Sequence, residues 1–236
     1  MTLFCGTFNL GDLKTDSNNT GSRLTVIFFN FLSETTGNGF IARDIEFQNM
    51  AGPQGAQAVA LAIASDRAAL YSCSISGYQD SLYAVSLRQF YCECDIYGTI
   101  DFIFGNAAAV IQTSNLILLQ PADGAYNLIL ANGRTDPGAV VMESNIGDAI
   151  APQGWIQWPG GSFSSISTLY FSEYVNTGLG ASTYGRVNWP GFHNIEVIEA
   201  YKFTVDFIDG MGWLPDTGVP FLPGLGGPIA ADYSLN

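Results

Sequence analysis

The sequence predicts an all-β protein built as a stacked β-solenoid, and three observations carry that prediction. Residues 71–105 overlay on themselves when shifted by twenty-one, so that Cys73 falls on Cys94, Ile75 on Ile96, Gly77 on Gly98, Asp80 on Asp101 and Leu82 on Ile103. A period in the low twenties, with alternating apolar residues and a glycine turn in each unit, is the mark of coils stacked on one another. No stretch carries a long amphipathic helical pattern. At 236 residues the chain fits one large all-β domain, and nothing divides it.

Residues 1–22 are polar and rich in Gly, Asn and Thr, without a defensible period, and read as a loosely held lead-in. Residues 23–32 read as a strand or two, ended by the turn Gly37-Asn38-Gly39. FIARDIEF (40–47) alternates apolar and polar and predicts a half-buried strand. QNMAGPQG (48–55) is a loop, apolar density returns over 56–64, and the two 21-residue units follow. Residues 107–120 continue the stack, with Ser114 and Asn115 where the cysteine of the earlier units stood. Short strands are expected at 128–131, 140–143 and 169–174, the first two separated by the turn-rich NGRTDPG. The aromatic, glycine-rich segment from Trp155 to 167 suits a surface loop. The region from Ala200 is expected to hold one short helix that caps the stack, followed by a Gly/Pro-rich tail over 222–236.

Eight basic residues against 21 acidic ones give a net charge of −13, which argues against nucleic acid as a partner. A polyanion is repelled as well unless its charges are masked, so an acidic polymer should be mostly uncharged where it binds. Cys5, Cys73, Cys92 and Cys94 make neither a disulfide framework nor a zinc motif. Cys73 and Cys94 share the repeat register and could bridge or remain buried thiols. The first residues have no basic and apolar leader pattern, and no apolar run is long enough to span a bilayer, so a membrane partner is not expected. Asn18-Asn19-Thr20 is a glycosylation sequon that matters only outside the cell.

Stacked coils lie about 4.8 Å apart, which makes Asp80 and Asp101 neighbours in equivalent places. Two carboxylates that close cannot both ionise cheaply, so one should stay charged while the other keeps its proton, dividing them into nucleophile or base and acid. A solvated aspartate ladder is the other reading of the same spacing. His193, after a Pro-Gly turn, reads as a surface residue, and no Gly-x-Ser-x-Gly elbow supports a serine hydrolase.

GTIDFIFGNA (98–107) resembles a signature of the plant cell-wall pectin methylesterases. GFIARDIEFQNMAGP (39–53), QAVAL (57–61), GYQDSLY (77–83), GRTDP (133–137), GW (154–155) and GRVNWPGF (185–192) resemble that family in the same order. The resemblance implies a right-handed single-stranded parallel β-helix that hydrolyses the methyl esters of polygalacturonate without metal or organic cofactor. It implies Asp101 as nucleophile, Asp80 as acid and then base, and Gln57 and Gln79 as oxyanion donors. Gln79 and Asp80 are adjacent, so their side chains share a site only if a bend near Gly77 intervenes. Tyr78, Phe102, Phe104 and Trp155 are candidates to line a sugar groove, with Trp158 and Trp189 behind them. The same resemblance implies a secreted, cell-wall monomer whose partners are pectin and a proteinaceous inhibitor.

In the family a Gly-Arg-Pro-Trp motif follows GRTDP and supplies an arginine to the nucleophile; here GRTDP runs directly into GAVVMESNIGDAIAPQGW and no such motif exists. On the order of one coil is missing. Arg134 and Arg186 belong to other family blocks and do not replace that arginine. The opening coil is also absent, and Ser114 stands where many members pair a cysteine with the one at Cys94. Two rival readings follow: an impaired or inactive pectin-binding homologue, and a β-helical glycoside hydrolase of the polygalacturonase type, since paired carboxylates about 5 Å apart also suit glycosidic cleavage.

Overall fold

The computed structural model describes residues 14–15, 24–28, 33–55, 59–121, 127, 139–155 and 170–226. β1 (Lys14–Thr15) pairs antiparallel with β2 (Leu24–Phe28); every later strand pairing is parallel among the described residues. From β2 the chain makes a three-strand circuit through β3 (Ser33–Thr35) and β4 (Ile41–Arg43) and then repeats it. The next circuit is β5 (Ile45–Asn49), β6 (Leu61–Ile63) and β7 (Ala68–Tyr71). After it come β8 (Ser74–Ser76), β9 (Leu82–Ala84) and β10 (Arg88–Cys92), then β11 (Asp95–Gly98), β12 (Ile103–Gly105) and β13 (Ala108–Gln112). β14 (Asn115–Leu118), β15 (Ala139–Met142), β16 (Asn145–Ile146), β17 (Phe171–Tyr174) and β18 (Phe192–Asn194) complete the described strands.

From β2 to β11 each strand pairs with its equivalent one circuit on, which makes the molecule a parallel β-helix with sheets running along the stack. The first face is continuous from β2 through β5, β8, β11 and β14 to β16; the second runs β3-β6-β9-β12 and the third β4-β7-β10-β13. β15, β17 and β18 form a separate sheet. Register converts the period into ladders of like residues. Phe47, Ile75, Ile96, Leu116 and Ile146 stack on one face, and Leu61, Leu82 and Ile103 on the next. These side chains are buried in the main core, each contributing about 1.5–3 kcal/mol through burial.

The corner between the third and first faces repeats a single device. Asp44, Ser72, Glu93, Thr113, Glu143 and Val175 all adopt left-handed backbone angles there. The amides of Asp44, Ser72, Glu93 and Glu143 each donate to a carbonyl of the adjoining coil, so ladder pairing offsets the unfavourable backbone. The following residue carries a short donor: Cys73, Cys94, Ser114 and Ser144 each bond the carbonyl two residues before, at 3.4, 3.4, 3.0 and 2.9 Å. Ser114 also accepts from the Cys94 amide at 3.0 Å. Serine and cysteine are interchangeable in this column because the corner needs only a small donor. Cys73, Cys92 and Cys94 are in no disulfide among the described residues, and Cys5 lies outside them.

The cap differs from the single helix expected: two four-residue helices, α1 (Val197–Ala200) and α2 (Leu214–Thr217), bracket three 3₁₀ turns at Tyr201–Phe203, Val205–Ile208 and Gly210–Gly212. Periodicity cannot detect segments this short. Val205, Ile208, Trp213 and Leu214 pack on Ala69, Phe90 and Val110, the outward residues of β7, β10 and β13. Arg88 clips the cap to the stack by bonding both Asp66 and Asp209. The tail is then tied down by Gln112, which pairs with both backbone groups of Leu222, and by Glu143, which accepts from Gly226. Of the lead-in, Lys14–Thr15 forms β1; the strand expected at 128–131 lies outside the described residues.

Candidate active site

Asp80 sits in the bend between β8 and β9, and Asp101 in the equivalent turn between β11 and β12. Both have left-handed backbone angles, φ 60 and 53, which aspartate tolerates better than most residues because its short side chain is polar. The turns are stacked by backbone bonds: the Asp80 amide reaches the Ile100 carbonyl, and Leu82 that of Phe102. Thr99 is buried and bonds the Tyr78 carbonyl with both its amide and its hydroxyl, fixing the first turn on the second. Gly98 is required beneath them, since a Cβ there would lie 2.2 Å from the Cβ of Phe102. At Gly105, φ is 126 and a Cβ would meet the Ala84 carbonyl oxygen at 1.9 Å.

The chain bends over Tyr78–Asp80, and the Gln79 amide acts on the Asp80 carboxylate to lower its pKa. Both aspartates are less acidic than usual. Burial, then the neighbouring Asp101 charge, raises Asp80 to about 6 against the opposing Gln79 bond. Burial alone raises Asp101 to about 6. Asp101 Oδ1 is buried without a hydrogen-bond partner. Among the described residues no cation acts on either carboxylate. Arg186 instead forms a buried pair with Glu173 at 2.7 Å and donates to the Gly180 carbonyl. Arg88 is held by Asp66 and Asp209, and Arg134 lies outside the described residues.

The aromatic candidates separate. Tyr78 is half-buried, and Phe104 stacks on Tyr83 with centroids 4.5 Å apart and planes 8° from parallel. Phe102 is fully buried in the core. Trp155, expected in an exposed loop, is 1% exposed, stacks on Phe171 at 4.7 Å and donates from Nε1 to Glu173 Oε1. Burial of that indole around an ion pair overrides the loop-like composition after it. Trp189 packs against the core. Trp158 and Gln57 lie outside the described residues. His193 stacks on Tyr170 in β18, away from the repeat turns in sequence. Sequence reasoning missed Tyr83 and Thr99; Tyr83 was available, because it falls on Phe104 at the same twenty-one-residue shift. No group of three metal-ligating side chains occurs among the described residues.

The pectinesterase family model matches residues 10–139 and 137–211. In Arabidopsis thaliana, probable pectinesterase/pectinesterase inhibitor 16 is 46% identical over 220 residues, covering 80% of this chain. Probable pectinesterase/pectinesterase inhibitor 54 is 50% identical over 209 residues, covering 72%. The chain spans 42% and 41% of those two relatives' own lengths. Among solved structures, pectin methylesterase from carrot superposes with a TM-score of 0.73 at 34% identity, over 90% of this chain and 91% of that one. The pectin methylesterase of Aspergillus niger, at 24% identity and a TM-score of 0.61 over 77% of this chain and 72% of that one, shares the fold.

Proposed function

The chain belongs to the pectinesterase family, and from that premise we propose that it hydrolyses methyl esters of polygalacturonate, with Asp101 as nucleophile and Asp80 as acid and base. The observation that carries this reading is the pair of carboxyls in identical stacked turns, one of them feeling the other's charge. Burial raises both, and the Asp101 charge then holds the proton on Asp80. The Asp101 carboxylate attacks the ester carbonyl carbon, and the oxyanion takes hydrogen bonds from the amides of Gln79 and Gln57. Collapse expels methanol, which takes the Asp80 proton. Asp80, now a carboxylate, removes a proton from water, which cleaves the acyl-enzyme and restores Asp101. Neutral amide donors stabilise the oxyanion without quenching the nucleophile. The half-buried Tyr78 and the Phe104–Tyr83 stack suit the apolar face of a sugar ring.

One specific observation favours a second reading, an impaired pectin-binding homologue: Asp101 lacks a cation among the described residues. An adjacent cation commonly lowers a carboxyl by one to three units, so Asp101 loses both orientation and acidity without it. The two stretches matched by the family model meet at 137–139, next to the point where the Gly-Arg-Pro-Trp segment is missing, which supports the same reading. A secreted, cell-wall monomer that acts on pectin and meets a protein inhibitor belongs to this proposal. Purified protein is incubated with highly methylated pectin while methanol and reducing ends are followed. Methanol without reducing ends, abolished by Asp101→Ala, is the expected result. Reducing ends mean glycosidic cleavage, and binding without methanol means the impaired homologue. Methanol release unchanged in the Asp101 variant would sink the nucleophile assignment.

A further inference from the structure

The two carboxyl-bearing turns are tied together at a point two residues ahead of each aspartate. Tyr78 falls on Thr99 at the twenty-one-residue shift, as Asp80 falls on Asp101. Thr99 donates to the Tyr78 carbonyl from its amide at 2.8 Å and again from its hydroxyl. At the next residue the direction reverses: the Ile100 carbonyl accepts from the Asp80 amide at 3.3 Å, and that of Phe102 from Leu82 at 2.8 Å. Glycines in both coils let the turns close on Ser81, since a Cβ at Gly77 would stand 2.9 Å from its hydroxyl and one at Gly98 2.7 Å from it.

The hydroxyl of Thr99 is the part of this junction that satisfaction of the backbone does not require. The Tyr78 carbonyl already accepts from the Thr99 amide. Thr99 is 1% exposed, and burying a hydroxyl costs free energy unless it is bonded, so a valine would fill the same space with nothing to satisfy. What the hydroxyl adds is geometry. A single bond leaves two turns free to swing about it, whereas two donors from one residue on one oxygen hold them at a fixed spacing and angle. We propose that Thr99 is the positioning residue of the carboxyl pair, its hydroxyl and amide together fixing the distance between Asp80 and Asp101; the functional side of this inference rests on the esterase reading above. It acts through the two turns rather than on substrate. The spacing matters because the Asp101 charge acts on Asp80, behind burial and against the Gln79 bond, and such coupling weakens with distance. It matters also because nucleophile and acid must meet one ester, where a misplacement of about 1 Å can cost about a hundredfold in rate.

Thr99→Val removes the hydroxyl at nearly constant shape, and Thr99→Ser keeps it. The readout is the Asp80 carboxyl carbon, titrated by NMR in the intact protein with and without Asp101→Asn. In the native background Asp101→Asn should lower the Asp80 midpoint, because the coupled charge is gone. In Thr99→Val the same step should be at most about half as large, and in Thr99→Ser it should keep its native size. Ser114→Ala takes a buried hydroxyl from the same stack away from these turns and should leave the step unchanged. An undiminished step in Thr99→Val, a diminished one in Thr99→Ser, or an equal loss in Ser114→Ala overturns the proposal. So does the absence of any step in the native background, a measurement that needs no Thr99 variant to fold. Methanol kinetics supply a second readout: kcat should fall about tenfold in Thr99→Val with KM nearly constant and recover in Thr99→Ser, and an unchanged kcat counts against the positioning role. Absence of methanol from the native protein defeats the esterase reading instead, and the titration then decides the role of Thr99 by itself.

Discussion

Asp80 and Asp101 share a backbone conformation and an acidity near 6, yet the proposed chemistry needs them in opposite states. The productive form has Asp101 ionised and Asp80 protonated. Its population falls below about pH 6 as Asp101 gains a proton and above it as Asp80 loses one. A narrow bell in kcat/KM with its maximum at about pH 6 is expected, and a rate that stays level to pH 8 would remove Asp80 from the acid role. Stability should mirror this. Both carboxyls are raised above their usual 3.8, so between about pH 4 and 6 the folded state holds more protons than the unfolded one and loses stability as pH rises. Replacing both with Asn, which also accepts left-handed angles, should stabilise the fold at pH 7 by about 1–3 kcal/mol and change little at pH 4. Thermal melts at the two pH values check this. The pair was legible in the sequence because a twenty-one-residue shift superposes its members. The setting of Trp155 was not, because the Glu173 and Arg186 that bury it lie 18 and 31 residues away.

At the scale of the element, the corner column shows what residue patterns leave out. Asp44, Ser72, Glu93, Thr113, Glu143 and Val175 share no side-chain chemistry, and at Asp44, Ser72, Glu93 and Glu143 the corner is held by stacked backbone bonds rather than by side chains. The strands themselves were partly readable from alternation and period: β17 falls inside LYFSEY, whereas FIARDIEF, expected as one strand, is broken by the left-handed corner at Asp44 into β4 and β5, and β5 runs on to Asn49. Val175 is the poorest fit in the column: it is β-branched, left-handed at φ 45, and 53% exposed, so little packing compensates. Val175→Asn should therefore raise the urea midpoint, with a gain of about 1 kcal/mol. Ser114→Ala should do the reverse, costing about 1–2 kcal/mol, because the buried Cys94 amide loses its acceptor, while the Gln112 carbonyl keeps the Glu93 amide as a donor. A neutral result at Ser114 would mean that the column's hydroxyls and thiols are merely space-fillers.

Across the whole molecule the dominant quantity is a net charge of −13, and it acts on the proposed substrate through space rather than through any one contact. Each methyl ester hydrolysed leaves a carboxylate on the polymer, so the reaction converts a nearly neutral ligand into one the protein repels. Product should leave readily, and stretches already de-esterified should be poor substrates. Salt is the discriminating variable. Raising ionic strength from about 0.01 M to about 0.15 M shortens the screening length from about 30 Å to about 8 Å, which removes most of this repulsion. KM for partly de-esterified pectin should therefore fall with added salt, while KM for fully esterified polymer should hardly move. A basic groove at the site would give the opposite slope, since salt would then weaken an attraction. A KM that rises with salt on the partly de-esterified substrate would mean that local positive charge near Asp80 and Asp101 outweighs the acidic surface, and the missing cation would have to be sought there.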